Sequence, residues 1–489
     1  MNLTRDARHG PSDFLFVTGT FTAVANRIGK LPARLVTPVI LCCASLARAN
    51  ELPAMCVEIT RGPEPGLERG QAQARDSRAA WRAKSDSALW ASISRGGIAV
   101  VGLRAPGTDR GVVKGRVVIS ECEQRSAERA IASLAGLTIL DRDKRLPILL
   151  IEIGDLAALQ RLRRISQVDY IEPDRDYSIP AWRVYQSGCR GAGFGGKRIT
   201  VSPGDQFGTR ANEHQIVQAW AHSNGSGVTI GLVDTGADPV QPQLHGEFDD
   251  GMSAGRTATY AYTRGRNYYD NCGHGTQMTG VMTAPRDGRN VVGVAWGANL
   301  FSVRAQDDPW ADFFSVTETR LGIARAASRT KLVVFGFGTP GPGYSSVEDE
   351  IASWYYNADR LFVAPSGNFP NWCPPFECRV DVMFPARLST VTAVTSTRCE
   401  DCIWGDEVDY HGHSGNPTTG AINIGHADIG SSSQTSGATA VIGGILALVW
   451  SKYPTFSRQQ VLQKINGCGG GSRGAPNALC AVTDPAPRR

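Results

Sequence analysis

Five short apolar runs, separated by longer segments, constrain the fold of this chain more than any other feature. They span residues 228–233, 298–304, 332–335, 361–364 and 391–394. Some intervening segments have helical periodicity, as in 315–327, where apolar or small residues recur at Leu321, Ile323, Ala324 and Ala327. Strands that alternate with helices form a parallel sheet that is covered on both faces. The pattern therefore predicts an α/β domain with a doubly wound, mostly parallel sheet.

Four side chains near these runs are of the types that nucleophilic catalysis requires. Asp234 ends the first run, and Asn368 follows the fourth. His274 lies in Gly-His-Gly-Thr and Ser436 in Thr-Ser-Gly-Ala. A serine hydroxyl is a weak nucleophile unless an imidazole takes its proton, and the imidazolium needs a buried carboxylate to orient it. We therefore predict a catalytic triad of Asp234, His274 and Ser436.

The order Asp, His, Ser and the spacing of the motifs resemble the subtilisin-like serine proteases, the subtilases, over about 210–465. The resemblance implies that Asn368 helps to hold the oxyanion. It also implies that Gly336, Phe337 and Gly338 bind the substrate as an added strand. The implied activity is that of a secreted serine endopeptidase, which hydrolyses polypeptide substrates through an acyl-enzyme. No cofactor is required for that chemistry, and structural calcium is left open.

Three residues depart from the family pattern. Gln434 stands where a glycine normally precedes Thr-Ser, Ala440 where a proline usually follows, and Gln277 where a second histidine is usual. None of these changes removes a catalytic atom, but a side chain at position 434 would crowd the substrate carbonyl if the backbone there needed the freedom of glycine. The alternative function is therefore a catalytically inactive subtilase-fold protein that binds peptides. An aspartic protease is disfavoured, because the chain has no second Asp-Thr-Gly or Asp-Ser-Gly.

A small α+β module is predicted upstream, over residues 97–177. We expect strands at 112–119, 149–153 and 168–174, and helices at 125–134 and 155–165, with Ser120 and Glu123 as a capping box. This order is ferredoxin-like, and its last strand resembles the end of a subtilase propeptide. The resemblance implies a folding chaperone and intramolecular inhibitor, cut from the catalytic domain (178–489) somewhere in about 175–195. The alternative is an accessory α+β domain.

The first 49 residues have the features of a lead and a signal peptide. Lys30 and Arg34 precede an apolar stretch at 35–46, and Ala47-Arg48-Ala49 fits a cleavage site. The stretch is too short for a durable membrane span, so we predict secretion without a stable membrane anchor. A lipoprotein-type signal with a lipobox at Leu41-Cys42 is a minor alternative. Residues 50–96 are predicted to be a linker or a low-order region.

Cysteine usage and charge complete the prediction. Ten of the twelve cysteines follow the signal stretch, and this even number favours disulfides in an oxidising compartment, with the pairing left open. The pairs Cys373/Cys378 and Cys399/Cys402 also resemble a four-thiolate zinc site. Cys272 is expected to anchor the loop before the catalytic histidine. The net charge of +5, without a basic helix, gives no support for nucleic-acid binding.

Overall fold

A computed structural model describes the two folded parts of the chain. The described residues are 77–94, 96–104, 112–113, 116–117, 119–174, 213–241, 244, 255–263, 268–270, 272–286, 291–305, 315–341, 343–368, 381–396, 402–419, 429–432, 434–471 and 474–483. The predictions for the signal peptide, for the cleavage stretch 175–195 and for Cys373, Cys378 and Cys399 concern residues outside these ranges.

The N-terminal part is a four-stranded antiparallel sheet covered by helices. The elements are α1 (Ser77–Ala83), α2 (Asp86–Ile93), β1 (Ile98–Leu103), β2 (Val112–Val113), β3 (Arg116–Val117), α3 (Glu121–Ala132), β4 (Leu137–Arg142), β5 (Ile148–Ile153), α4 (Leu156–Arg163) and β6 (Val168–Pro173). The strand order in the sheet is β4-β5-β1-β6, and these strands with α3 and α4 follow the β-α-β-β-α-β order of ferredoxin-like folds.

Two features of this part differ from the prediction. The first strand of the sheet is β1 rather than 112–119, a stretch that forms the separate two-stranded pair β2 and β3. Gly102 makes β1 possible as an inner strand, because a Cβ there would lie 2.2 Å from the ring of Tyr170 on β6. The segment 50–96 is not wholly low-order, since α1 and α2 lie in it and bury Trp81 and Leu89. The predicted capping box of Ser120 and Glu123 does begin α3.

The larger part is an α/β domain built on a sheet of seven parallel strands. Its first elements are α5 (Ile216–Ala219), β7 (Thr229–Asp234), β8 (Ala258–Tyr262), α6 (His274–Thr283), β9 (Asn299–Arg304), α7 (Val316–Arg329), β10 (Leu332–Phe335), α8 (Ser345–Ala358) and β11 (Leu361–Pro365). They are followed by β12 (Thr392–Ser396), β13 (Tyr410–Gly412), β14 (Pro417–Thr419), β15 (Ile429–Ser431), α9 (Gln434–Lys452), α10 (Arg458–Ile465), a π-helical turn (Asn466–Gly470) and α11 (Ala478–Thr483). The strand order is β13-β12-β11-β10-β7-β9-β8. The predicted doubly wound fold is confirmed, and all five predicted strands lie in the sheet.

Helix α9 forms the centre of one face of this sheet. Among the described residues it is the one helix that is long and apolar enough to cross a membrane, but 83% of its most apolar window is buried inside the protein. Its hydrophobic residues pack with those of α6 and with strands β7, β10, β11 and β12. A helix that is apolar on all sides needs such burial. Because α9 begins at Gln434, Ser436 lies in its first turn, near the carboxyl ends of the strands.

Candidate active site

Asp234 is the last residue of β7, a strand paired with β9 on one side and β10 on the other. The strand is buried from Ile230 onward, so its final carboxylate lies in the interior and is 2% exposed. The backbone N–H of Thr235 donates to Asp234 Oδ1 at 2.6 Å. The carboxylate is thus held at the carboxyl end of a central strand, where parallel sheets place their ligands.

His274 is the first residue of α6, and its ring contacts the carboxylate of Asp234. The distances from Nδ1 to Oδ1 and Oδ2 of Asp234 are 2.9 Å and 3.0 Å. The imidazole is 27% exposed, which leaves its other edge accessible. Burial disfavours the imidazolium, but the charge and hydrogen bond of Asp234 outweigh burial and raise the pKa of His274 above 6.5. This pair has the contact that orients a general base.

Gly336 lies directly over the Asp234–His274 pair, just after strand β10. A Cβ at this position would lie 1.5 Å from Asp234 Oδ2 and 2.9 Å from His274 Cε1, so only glycine allows this approach. The hydroxyl of Ser436 donates to the Gly336 carbonyl oxygen over 3.4 Å. Within the described residues no hydrogen bond joins Ser436 to His274.

The rest of the predicted substrate-binding segment continues from Gly336. Phe337 is half-buried, with its ring centroid 5.6 Å from that of Phe335. Gly338 is also half-buried, and a Cβ there would lie 3.1 Å from the Cβ of Met383. The segment is therefore backed by side chains of the domain and retains a partly exposed side, as a strand that accepts an extended peptide requires.

Asn368 lies beside the residue that precedes Ser436. Its Oδ1 accepts from the backbone N–H of Thr435 at 3.2 Å and from the Thr435 hydroxyl at 3.1 Å. Because the amide oxygen is occupied by these donors, the Nδ2 group is the one left to donate to a ligand. The arrangement fits a donor to an oxyanion at the beginning of α9.

Several residues of this site escaped the sequence analysis. Asp270, Thr235 and Thr276 form a buried hydrogen-bonded group behind His274. In the sequence, this group is indicated by Asp270, an aspartate four residues before His274. Thr435, which holds Asn368, was visible only as part of the serine motif.

Position 434 has the backbone conformation for which the sequence analysis expected a glycine. The φ angle of Gln434 is +58°, in the left-handed region that favours glycine. The helix that carries Ser436 thus begins with a strained residue.

Two cysteines near the site are disulfide-bonded. Cys272 precedes His274 by two residues, and the Sγ atom of Cys402 lies 3.7 Å from Asn368 Oδ1. A disulfide sulfur cannot serve as a zinc thiolate, so Cys402 does not belong to the four-thiolate site left open above. Cys468 and Cys480 form a further disulfide between the π-helical turn and α11.

Comparison with known sequences supports the same interpretation of the larger domain. Residues 225–466 match the subtilase family. The minor extracellular protease Epr of Bacillus subtilis is 29% identical over 259 residues, which are 51% of this chain and 36% of that protein. Thermitase of Thermoactinomyces vulgaris is 27% identical over 293 residues, 55% of this chain and 93% of the relative. The chain thus spans only about a third of the length of Epr.

Comparison with solved structures extends the likeness in fold. The crystal structure of fervidolysin from Fervidobacterium pennivorans superposes with a TM-score of 0.58 at 15% identity. The match covers 80% of this chain and 61% of fervidolysin, and therefore reaches beyond 225–466. At this identity the likeness concerns the fold alone.

Proposed function

From the premise that residues 225–466 form a subtilase domain, we propose that the protein is a serine endopeptidase with Asp234, His274 and Ser436 as its catalytic triad. The observation that carries the proposal is the contact of His274 Nδ1 with Asp234, at 2.9 Å, beneath Gly336 and Ser436. The family and its protease relatives support a peptide hydrolase. Subtilases generally need no cofactor for their chemistry.

In the proposed mechanism each of these groups has a distinct chemical role. Ser436 Oγ attacks the carbonyl carbon of the substrate while its proton moves to Nε2 of His274, and Asp234 stabilises the imidazolium. The oxyanion is held by Nδ2 of Asn368 and by the Ser436 backbone N–H, at the positive end of α9. His274 returns the proton to the leaving amine, and water then hydrolyses the acyl-enzyme with His274 again as base.

Substrate polypeptides are proposed to bind along the segment Gly336, Phe337 and Gly338. An extended peptide paired with this segment has its scissile carbonyl beside Ser436, because the serine hydroxyl already contacts the Gly336 carbonyl. A bound peptide competes for that carbonyl, which frees the hydroxyl to turn toward His274.

The ferredoxin-like part is proposed to act as an inhibitory propeptide. Support comes from two of its carboxylates, which receive N–H donors at the first turns of two catalytic-domain helices. Glu172 accepts from the backbone N–H of Ser345 at 2.7 Å and of Ser346 at 3.1 Å, and Asp174 accepts from that of Thr317 at 2.9 Å. Carboxylates at helix N-termini are favoured by unsatisfied N–H groups and by the helix dipole. These contacts support a zymogen in which Ser436 cleaves its own chain after the docked ferredoxin-like part.

Export to an oxidising compartment is the third part of the proposal. The Cys468–Cys480 disulfide and the disulfide-bonded Cys272 and Cys402 support it, because disulfides persist outside the reducing cytosol. One of the relatives, Epr, is described as an extracellular protease. The proposal gives the protein no stable membrane anchor and no nucleic-acid partner.

Self-processing tests the proposal directly. We expect the wild-type protein to yield a shortened form whose new N-terminus lies within about 175–195, and the Ser436→Ala variant to stay at full length. A full-length product from both proteins, in folded form, contradicts self-processing. Adding active wild-type enzyme to Ser436→Ala then shows whether the junction is accessible to cleavage.

The inactive peptide-binding alternative has its own supporting observations, namely the bond of Ser436 to Gly336 and the strained Gln434. Fluorophosphonate labelling separates the two functions, because only an activated serine reacts. We expect labelling of the mature wild-type protein at Ser436 and none of Ser436→Ala. A folded, propeptide-free protein that takes no label supports the binding function instead.

A further inference from the structure

Asp270 is a fully buried carboxylate on the loop that leads into α6. Its Oδ1 accepts from the Thr235 hydroxyl at 2.9 Å and from the backbone N–H groups of Cys272 at 3.0 Å and Gly273 at 2.7 Å. Its Oδ2 accepts from the backbone N–H of Thr276 at 2.8 Å and from the Thr276 hydroxyl at 2.6 Å. An ionised carboxylate is an acceptor only, and it is the form that receives all of these donors.

These hydrogen bonds join the segments that carry two members of the proposed triad. Thr235 directly follows Asp234, and its hydroxyl oxygen also accepts from the Gly275 N–H at 3.0 Å. Gly275 directly follows His274 in the first turn of α6. Through Thr235, Asp270 therefore ties the end of strand β7 to the beginning of α6.

The position of His274 disfavours its imidazolium form, which a second negative charge nearby can stabilise. As the first residue of α6, the imidazole lies at the positive end of the helix dipole, which disfavours an imidazolium. The N-cap residue Gly273 has no side chain to satisfy the free N–H groups. Asp270 supplies that cap from three residues upstream, and its charge opposes the dipole.

Within the part of the chain that the structure describes, the charged groups that act on the imidazole are the carboxylates of Asp234 and Asp270. Burial opposes the charged form of His274, and the charges of Asp234 and Asp270 together with the Asp234 hydrogen bond raise its pKa. Asp234 contacts the ring directly, whereas Asp270 acts on it through space and through its hydrogen bond to the Thr276 N–H of α6.

We propose that Asp270 is a positioning residue for the proposed hydrolysis, which holds His274 against Asp234 and stabilises the imidazolium that forms as Ser436 loses its proton. The inference rests on the proposed function. Asp270 itself exchanges no proton in this step, since the proton passes from Ser436 Oγ to His274 Nε2 and from there to the leaving amine.

The kinetic test uses the mature Asp270→Asn enzyme on a peptide substrate. We expect kcat to fall about tenfold to a hundredfold, because a small misplacement of a catalytic group has such a cost. KM should stay within about twofold, because the substrate-binding segment is untouched. The acid limb of kcat/KM should move to lower pH, because a charge that favours the imidazolium is lost.

Asp238→Asn is the matched control, since Asp238 is equally buried, its Oδ1 accepts from the Val240 N–H at 3.0 Å, and its backbone N–H donates to the Thr276 hydroxyl at 3.0 Å. It should leave the acid limb in place. An unchanged kcat in Asp270→Asn, a change in KM alone, an unmoved acid limb, or the same shift in the control overturns the proposal.

A second measurement needs neither maturation nor activity. In the full-length Ser436→Ala protein, the titration of the His274 ring is followed by NMR of labelled histidine, with and without Asp270→Asn. A lower His274 pKa in the double variant supports the proposal, and an equal pKa contradicts it. If the wild-type protein has no peptidase activity, the proposed function fails while this titration still tests the role of Asp270.

Discussion

The indole ring of Trp81, on helix α1 of the N-terminal part, stacks on Tyr344 at the beginning of α8, with ring centroids 6.1 Å apart. Its Nε1 donates to the Gly343 carbonyl oxygen at 2.9 Å, and the side chain is buried. Arg78 on the same helix bridges Asp169 of β6, at 3.0 Å, and Asp349 of α8. The helix therefore fastens the proposed propeptide to the catalytic domain.

Trp81→Ala is expected to weaken the inhibition of the matured enzyme by its cleaved N-terminal segment. Truncating a buried aromatic anchor costs about 2 kcal/mol or more at an interface, which corresponds to roughly a 30-fold loss of affinity. The measurement is peptide hydrolysis during serial dilution, which gives the enzyme concentration at half-maximal activity. That concentration should rise in the variant. Trp90→Ala is the control, because α2 packs on α4 and β6 rather than on α8; an equal effect there contradicts a special role of α1.

The docking of the N-terminal part is expected to weaken as pH rises. Burial raises the pKa of Glu172 from 4.5 to about 7, although hydrogen bonds from Ser346 and Ser345 oppose the shift. A carboxyl with a raised pKa binds its proton more tightly in the docked state. The contribution of Glu172 to the stability of the docked state is therefore fully present below pH 4.5 and is lost as pH rises through about 7.

The dilution assay repeated between pH 5 and 8 checks this pH dependence. In the wild type, the cleaved N-terminal segment should dissociate from the enzyme more easily as pH rises. In Glu172→Gln the concentration at half-maximal activity should change little with pH, because glutamine cannot ionise. The exposed Glu152 provides the control, and Glu152→Gln should behave as the wild type. A steep pH dependence that persists in Glu172→Gln would assign the effect to another group.

Asp234→Asn should lower kcat by about 10⁴-fold, the loss seen when an amide replaces the triad aspartate and the imidazole takes the wrong tautomer. In the wild type, the raised pKa of His274 places the acid limb of kcat/KM above pH 6.5, because the protonated ring cannot act as base. Steady-state kinetics across pH check both statements. An acid limb well below pH 6.5 would contradict the paired geometry of Asp234 and His274.

Gln434→Gly is expected to stabilise the folded protein by about 1 kcal/mol, because glycine adopts the observed left-handed backbone without the steric cost of a Cβ. Denaturant unfolding of the Ser436→Ala protein, which cannot digest itself under the proposed function, gives the free energy of unfolding. Gln434→Ala is the matched control, since it removes the polar side chain and keeps the Cβ. If the alanine variant gains as much as the glycine variant, the backbone strain is not the cause.

Much of the catalytic domain was predictable because its signals are local. Each of the five predicted strands is a short apolar run bounded by polar segments, and parallel pairing then brings the strand ends to one edge of the sheet. Asp234 and His274 could be paired in advance because chemistry requires a carboxylate beside the base, and the structure brings them to 2.9 Å. The edge strands β8 and β13 were missed, since neither is a long apolar run.

The N-terminal part was harder to predict because its decisive contacts are distant in sequence. The stretch 112–119 is rich in valine and looks like a strand, whereas β1 contains alanine and glycine, and its Gly102 packs directly against the ring of Tyr170. Helices α1 and α2 are short and weak in isolation. They are stabilised by packing against β6 and α4, and α1 also packs on α8. A local sequence pattern does not predict such contacts.

The order of residues by itself determined the fold class and the kind of chemistry that this chain carries, since apolar periodicity and the chemical types of a few side chains are properties of the sequence. Only the tertiary structure decided that Asp270 stands behind His274, that Gly336 covers the Asp234–His274 pair, and that Gln434 occupies a backbone conformation suited to glycine. The physical reason is that hydrogen-bond geometry, close approach and backbone torsion depend on how distant segments pack.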